Sequence, residues 1–331
     1  MASRRSTTRG RKKRPSLEEE LAALPSDPTE EGGRERIRVA LERGRAAVAS
    51  RAAELIRDAK VDEFSEDLVR AYERFEVDGA KTDPGCLAKT AILEALDHTD
   101  HMLSEPFARA TRYVQFEKAY PKSEDRADRL RARAILALSR LSIPEVLLYA
   151  GPMLADPAVP VRLATATAIA HFGSRDGAAL LALKIRVGDS DPTVITESMT
   201  GLLQLAPDFG VPILEALLLH GEPVQRELSA LALGQSPRPE ALEALLRWLE
   251  QAVTGAERNE AILALGFHRS DRALDALLSL LRSETTADAE AAVRTLAIRR
   301  FEPGVEAQVV AIIEEHEDRM VLEGIRDEHW R

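Results

Sequence analysis

Five basic residues recur at one register along this chain. Lys89, Arg131, Arg162, Arg226 and Arg258 each lie seven residues before the Leu or Ile of a recurring small-residue/Leu pair, and Ile195 and Ala289 interrupt the series. Stacked one per repeat, such bases would make a positive stripe for phosphates or acidic peptides. The same register also suits a ladder in which each base bonds to carbonyls or to Asp and Glu of the adjoining segment. The ladder is the preferred reading.

Asp97-His98-Thr99-Asp100-His101 is the most metal-like run, since His98 and His101 at three-residue spacing share one face of a helical turn. Zinc or iron needs further ligands and outer support. A polar run after a helix favours solvated loop histidines, so no metal is expected. Cys86, the lone cysteine, sits at an expected helix start where the positive dipole end lowers a thiol pKa. A nucleophile also needs a base beside it, and a buried structural cysteine is the preferred reading. No Ser-His-Asp order, glycine-rich phosphate loop or paired-carboxylate motif stands out. No catalytic residue is assigned and no cofactor is expected.

The elements that position these residues follow from the pairs themselves. Ala137-Leu138, Ala168-Ile169, Gly201-Leu202, Ala232-Leu233, Ala264-Leu265 and Thr295-Leu296 are spaced by 31, 33, 31, 32 and 31 residues, with an earlier copy, Ala95-Leu96, 42 residues upstream. A period in this range marks stacked supersecondary units that cannot bury their apolar faces alone. The predicted fold is all-α, an α-solenoid of tandem antiparallel helix pairs. An acid followed by proline at Asp83-Pro84, Asp156-Pro157, Asp191-Pro192 and Glu222-Pro223 predicts helix starts, because the acid caps free N–H groups and proline is tolerated in the first turn. Second helices are expected over 178–187, 211–219, 241–249 and 273–281.

Residues 1–33 read as a disordered charged tail with one short helix near 17–24. Residues 34–125 read as N-terminal helical hairpins with a longer loop, 126–318 as the repeat solenoid and 319–331 as a C-terminal cap. In the first hairpin, Ile37, Leu41, Val48, Ala52, Leu55 and Ile56 fall near one helical stripe, followed by a helix over about 65–76. Phe107, Tyr113, Phe116 and Tyr120 fall in the longer loop region. The helical spacing of Phe107, Ala110 and Val114 assigns most of that cluster to the core.

Segments such as Val224-Gln225-Arg226-Glu227 running into Ala230-Leu231-Ala232-Leu233-Gly234, and Asp156-Pro157 running through Val161-Arg162 into Ala168-Ile169-Ala170, resemble HEAT repeats of the phycobilisome-lyase type. The resemblance covers 126–318 well and 34–118 loosely, and it implies a fold that hosts many unrelated functions. Deoxyhypusine hydroxylase, also similar at this level, holds iron with His-Glu pairs. The comparable places here read Gln225-Arg226-Glu227 and Arg258-Asn259-Glu260, without histidine. A bilin-lyase-like enzyme, or a metal-dependent one, is the lesser alternative.

Charge divides the chain. Residues 1–15 carry Arg4, Arg5, Arg9, Arg11, Lys12, Lys13 and Arg14 without an acid, while the remainder holds 38 basic and 55 acidic side chains, a net of −17. Such a body repels phosphates, so nucleic-acid contact, the alternative function, is assigned to the tail. No run approaches the length of a membrane span, and a soluble, cytoplasmic protein without membrane partners is expected. The preferred function is a non-catalytic protein–protein interaction adaptor. Lys184, Arg247, Trp248, Asp275 and Arg282 on the second helices are its candidate contact residues.

Overall fold

The computed structural model describes residues 15–99, 103–252, 254–283 and 285–330. Their regular secondary structure is α-helical, apart from short 3-10 turns and one ribbon of two two-residue strands, and the fold is an all-α solenoid. Two compact units divide at Tyr149 and Ala150, within the helix Val146–Met153.

In the C-terminal unit the first helices of successive hairpins are Val159–Phe172, Pro192–Leu205, Pro223–Gln235, Gly255–Phe267 and Thr286–Leu296. They pack one on the next in chain order. The periodic small residues explain how: a Cβ added to Gly201 would lie 3.0 Å from Cβ of Ala170, and one added to Gly234 only 2.5 Å from the backbone oxygen of Ala264. With backbones this close, Leu202, Leu233, Leu265 and Leu296 are removed from solvent, each such burial stabilising by about 1.5–3 kcal/mol. The second helices are Gly177–Val187, Pro207–His220, Pro239–Gln251, Asp271–Leu281 and Val305–Glu315. The helix Arg319–His329 packs on Thr286–Leu296 through buried Leu322 and Ile325, and Trp330 Nε1 donates to Val293 O at 3.1 Å.

Capping sets the helix starts. Asp191 Oδ1 accepts from Thr193 N at 2.9 Å, ahead of Pro192 in the first turn. Glu222 with Gln225 and Thr254 with Glu257 form reciprocal boxes, each satisfying backbone donors that no helical carbonyl reaches. Asp156 differs from expectation: its carboxylate accepts from Ala158 N at 2.8 Å in a turn, and the helix begins at Val159. Asp83-Pro84 likewise opens a 3-10 turn, and the Asp83 carboxylate caps the following helix from outside, accepting from Ala88 N and Lys89 N at 2.8 and 3.0 Å.

The N-terminal unit contains Leu17–Ala22, Gly33–Arg43, Ala46–Ala59, Ser65–Glu76, Leu87–Asp97, Glu105–Ala110 and Asp128–Arg140. The stripe from Ile37 to Ile56 is carried by two helices, because Gly44 takes extended backbone between them. Between Glu105–Ala110 and Asp128–Arg140 the chain forms an antiparallel ribbon pairing Phe116 with Asp125 and Glu117 with Glu124.

Candidate functional site

Each of the five in-register bases meets an anion; Lys89, Arg131 and Arg162 are buried, and Arg226 and Arg258 are partly exposed. Lys89 Nζ lies 2.9 Å from Asp83 Oδ2 and 3.2 Å from Phe75 O, both side chains being fully buried, and 5.1 Å from the centre of the Tyr113 ring. Arg131 Nη1 donates to Asp125 Oδ2 at 2.6 Å and to Tyr113 O at 3.0 Å. Arg162 forks onto Asp189 while its Nη1 donates to Asp156 O at 2.8 Å and Pro157 O at 3.0 Å. Arg226 Nη1 lies 3.2 Å from Glu257 Oε1. Arg258 forks onto Asp288 at 2.6 and 2.7 Å and reaches Leu249 O at 3.1 Å. The bases therefore form the ladder and leave no positive stripe for phosphate.

The acids that complete these rungs carry no motif, and sequence reasoning missed them. The signal is a distance. In the solenoid the acid follows its base by 27 residues for Arg162 and 30 for Arg258, whereas Asp83 and Asp125 precede theirs by six. Arg299 was missed as well. Buried in the turn between Thr286–Leu296 and Val305–Glu315, it bonds Glu302 at 2.7 Å and the carbonyls of His268 and Ser270 at 3.3 and 3.2 Å. Burial keeps His268 below its ordinary pKa, and its Nε2 lies 3.3 Å from Arg238 O.

Among the five candidate contact residues, two positions require correction. Trp248 is 3% exposed and closes the core beside Leu245 and Leu249, so its ring offers no face to a partner. The side chain of Lys184 is 10% exposed and its Nζ sits 2.6 Å from Asp189 Oδ2, inside the ladder. Arg247, Asp275 and Arg282 are exposed. Arg247 forks onto Glu215 of the preceding second helix at 2.7 and 2.9 Å, and Arg282 Nη1 reaches Leu278 O at 3.4 Å. Among the described residues none of the five bonds to another.

His98 is exposed, with Nδ1 2.8 Å from Glu94 O. The acids around it are engaged: Glu94 by Arg57 and Arg133 at 3.1 Å, and Asp97 by Arg140. His101 lies outside the described residues, and among those described no group of three His, Cys, Asp or Glu is placed to hold a metal. Cys86 is buried, and burial pushes its thiol up to about 12, outweighing the opposite pull of nearby Lys89. The aromatic region departs from expectation. Phe107 and Ala110 are core, but Val114, Phe116 and Tyr120 are exposed, because the ribbon carries the chain away from helical spacing. Arg4, Arg5, Arg9, Arg11, Lys12, Lys13 and Arg14 lie outside the described residues. No helix among those described is long and apolar enough to cross a membrane.

Residues 210–297 match a family model for HEAT repeats. No curated protein matches the sequence significantly. Among solved structures, the chain is similar to the complex of CpcE and CpcF of phycocyanin lyase from Nostoc sp. PCC7120, with 14% identity, a TM-score of 0.35, and coverage of 92% of this chain and 97% of that one. An engineered protein matches at 17% identity and TM-score 0.36, covering 95% and 93%. Human deoxyhypusine hydroxylase in complex with glycerol matches at 16% identity and TM-score 0.27, covering 86% and 98%.

Proposed function

We propose that this chain, a HEAT-repeat protein in its fold, is a non-catalytic scaffold whose second helices bind another protein. The observation that carries the reading is the ladder of paired charges. Its bases and acids, the groups an active site would recruit, bond to one another between hairpins. The second helices keep a charged outer surface, where Arg247 joins Glu215 and Arg272 joins Glu243 from helix to helix. Stacking on immediate neighbours leaves such a face available over many repeats, and interfaces of ordinary size need area more than depth.

The test is cross-linking and affinity purification from the native host, comparing the natural chain with Arg247→Glu/Asp275→Lys/Arg282→Glu. Partners that cross-link to the second helices and are lost from the triple variant are the expected result. An unchanged partner set, or none above background, overturns the reading. The seven basic residues within 1–15 favour a second, separable contact with nucleic-acid phosphates, and its test is the deletion of those residues.

A further inference from the structure

The series of bases is broken at Ile195, and the packing opens at the same place. At Ala289, the other interruption, Thr286 Oγ1 takes over the rung by donating to Asp318 Oδ2 at 2.7 Å. At Ile195 no polar side chain substitutes among the described residues. A cavity of about 260 Å³ lies there instead, walled by Ile185, Ile195, Met199, Leu217, Val224 and Leu228 among others. It adjoins a larger groove of about 530 Å³ between the helices Gly177–Val187 and Pro207–His220, sharing Ile185, Leu217 and Gln225 with it.

Those two helices are tied at one end and open at the other. Arg175 forks onto Asp208 at 3.0 and 2.6 Å where both helices begin. Further along they do not pack closely on each other, as Pro207–His220 and Pro239–Gln251 do. The arginine lacing that links later second helices has no counterpart here, since Lys184 is drawn to Asp189 instead. The slot runs from Ile213 to His220, about 10 Å at 1.5 Å per residue, and Ala182 and Ala216 in its lining are small enough for close approach. Arg186 and His220 also line it, are exposed, and have no partner among the described residues.

We infer that this slot is the anchor site of the scaffold, and that it takes an amphipathic helix of the partner. That helix would insert two apolar side chains one turn apart and carry a carboxylate beside them for Arg186 and His220. The inference rests on the scaffold reading and gives it a place and a chemistry. Apolar walls reward the inserted side chains, as in other helix-in-groove modes. Two unpaired bases on a chain of net charge −10 make an acidic flank the complementary choice.

The experiment is selection of a displayed library of random helical peptides against the full-length chain, repeated with Ala216→Trp, Arg186→Glu and the Arg247/Asp275/Arg282 triple variant. Melting curves by circular dichroism confirm that each variant folds; Ala216 is exposed, so its replacement fills the slot rather than the core. Enriched peptides should carry an apolar pair at i and i+4 next to Asp or Glu. They should bind Ala216→Trp at least tenfold more weakly, lose affinity to Arg186→Glu, and bind the triple variant as well as the natural chain. Peptides that bind Ala216→Trp equally, that carry basic flanks, or that fail to enrich overturn the slot. The scaffold reading then stands or falls separately on the cross-linking result.

Discussion

Arg162 and Asp189 face each other across a hairpin boundary as a closed fork, Nε and Nη2 each 2.7 Å from one carboxylate oxygen, with the side chains 9% and 2% exposed. Lys184 adds its ammonium to the same carboxylate at 2.6 Å, so Asp189 serves two cations. Removing the shared anion leaves two buried charges unpaired, whereas removing either cation leaves one pair intact. Breaking a buried pair by deleting one partner costs about 3–5 kcal/mol. Asp189→Asn should therefore lower stability by that amount in urea denaturation, and Arg162→Met by clearly less. Equal losses would show that Lys184 adds nothing to the rung.

The same carboxylate predicts an acid limb. The bond from Arg162 holds Asp189 well below the usual carboxylate range, with Lys184 acting in the same sense. A group whose pKa is depressed in the folded state contributes fully above its unfolded pKa, about 3.9 for Asp, and the contribution fades as pH falls through the folded value. The stability gap between the natural chain and Asp189→Asn should be constant from pH 7 to about 5 and shrink below pH 4. A gap undiminished at pH 2 would contradict the assignment.

Spacing made the hairpins legible because a small residue and a Leu must recur wherever two backbones meet. The expected second helices at 178–187 and 273–281 lie within Gly177–Val187 and Asp271–Leu281. Long-range partners were not legible. Asp189 lies in a loop that looks like any other acidic turn, and the 27 residues separating it from Arg162 become a contact only once two hairpins have stacked. Trp248 shows the converse. An aromatic beside Arg247 resembles a recognition pair, yet one residue is a rotation of about 100° on a helix, which puts Trp248 in the core and Arg247 in solvent.

Two glycines should respond to the same substitution with opposite signs. Glycine in a helix interior is ordinarily worse than alanine by about 0.8–1.0 kcal/mol. At Gly324 nothing lies within 4 Å of an added Cβ, so Gly324→Ala should raise the melting temperature. At Gly234 the added carbon would meet Ala264 O at 2.5 Å, and backbone cannot yield as a side-chain tip does. Gly234→Ala should cost about 1–3 kcal/mol, the usual penalty of overpacking, read as a lower melting temperature.

Cys86 offers a reporter of opening in the N-terminal unit. Its thiol is buried and pushed up to about 12 by that burial, so thiolate is scarce at neutral pH and a reagent has no path to it. Labelling by a thiol-reactive disulfide at pH 8 should be negligible in the folded protein and should follow urea unfolding as measured by circular dichroism. Rapid labelling without urea would mean that the segment around Asp83 and Lys89 opens independently of the rest.

The ladder also bears on nucleic acid. With Lys89, Arg131, Arg162, Arg226 and Arg258 each bonded to a carboxylate, the body has no in-register cations to offer, and its net charge beyond residue 15 is −17. Retention of duplex DNA at low salt should therefore depend on residues 1–15. Each phosphate neutralised contributes about 0.9 to the slope of log affinity against log salt, so the full-length chain should show a steep slope and the chain lacking residues 1–15 no shift at all. A shift that survives the deletion would require a phosphate-binding face on the folded body, which the paired rungs do not provide.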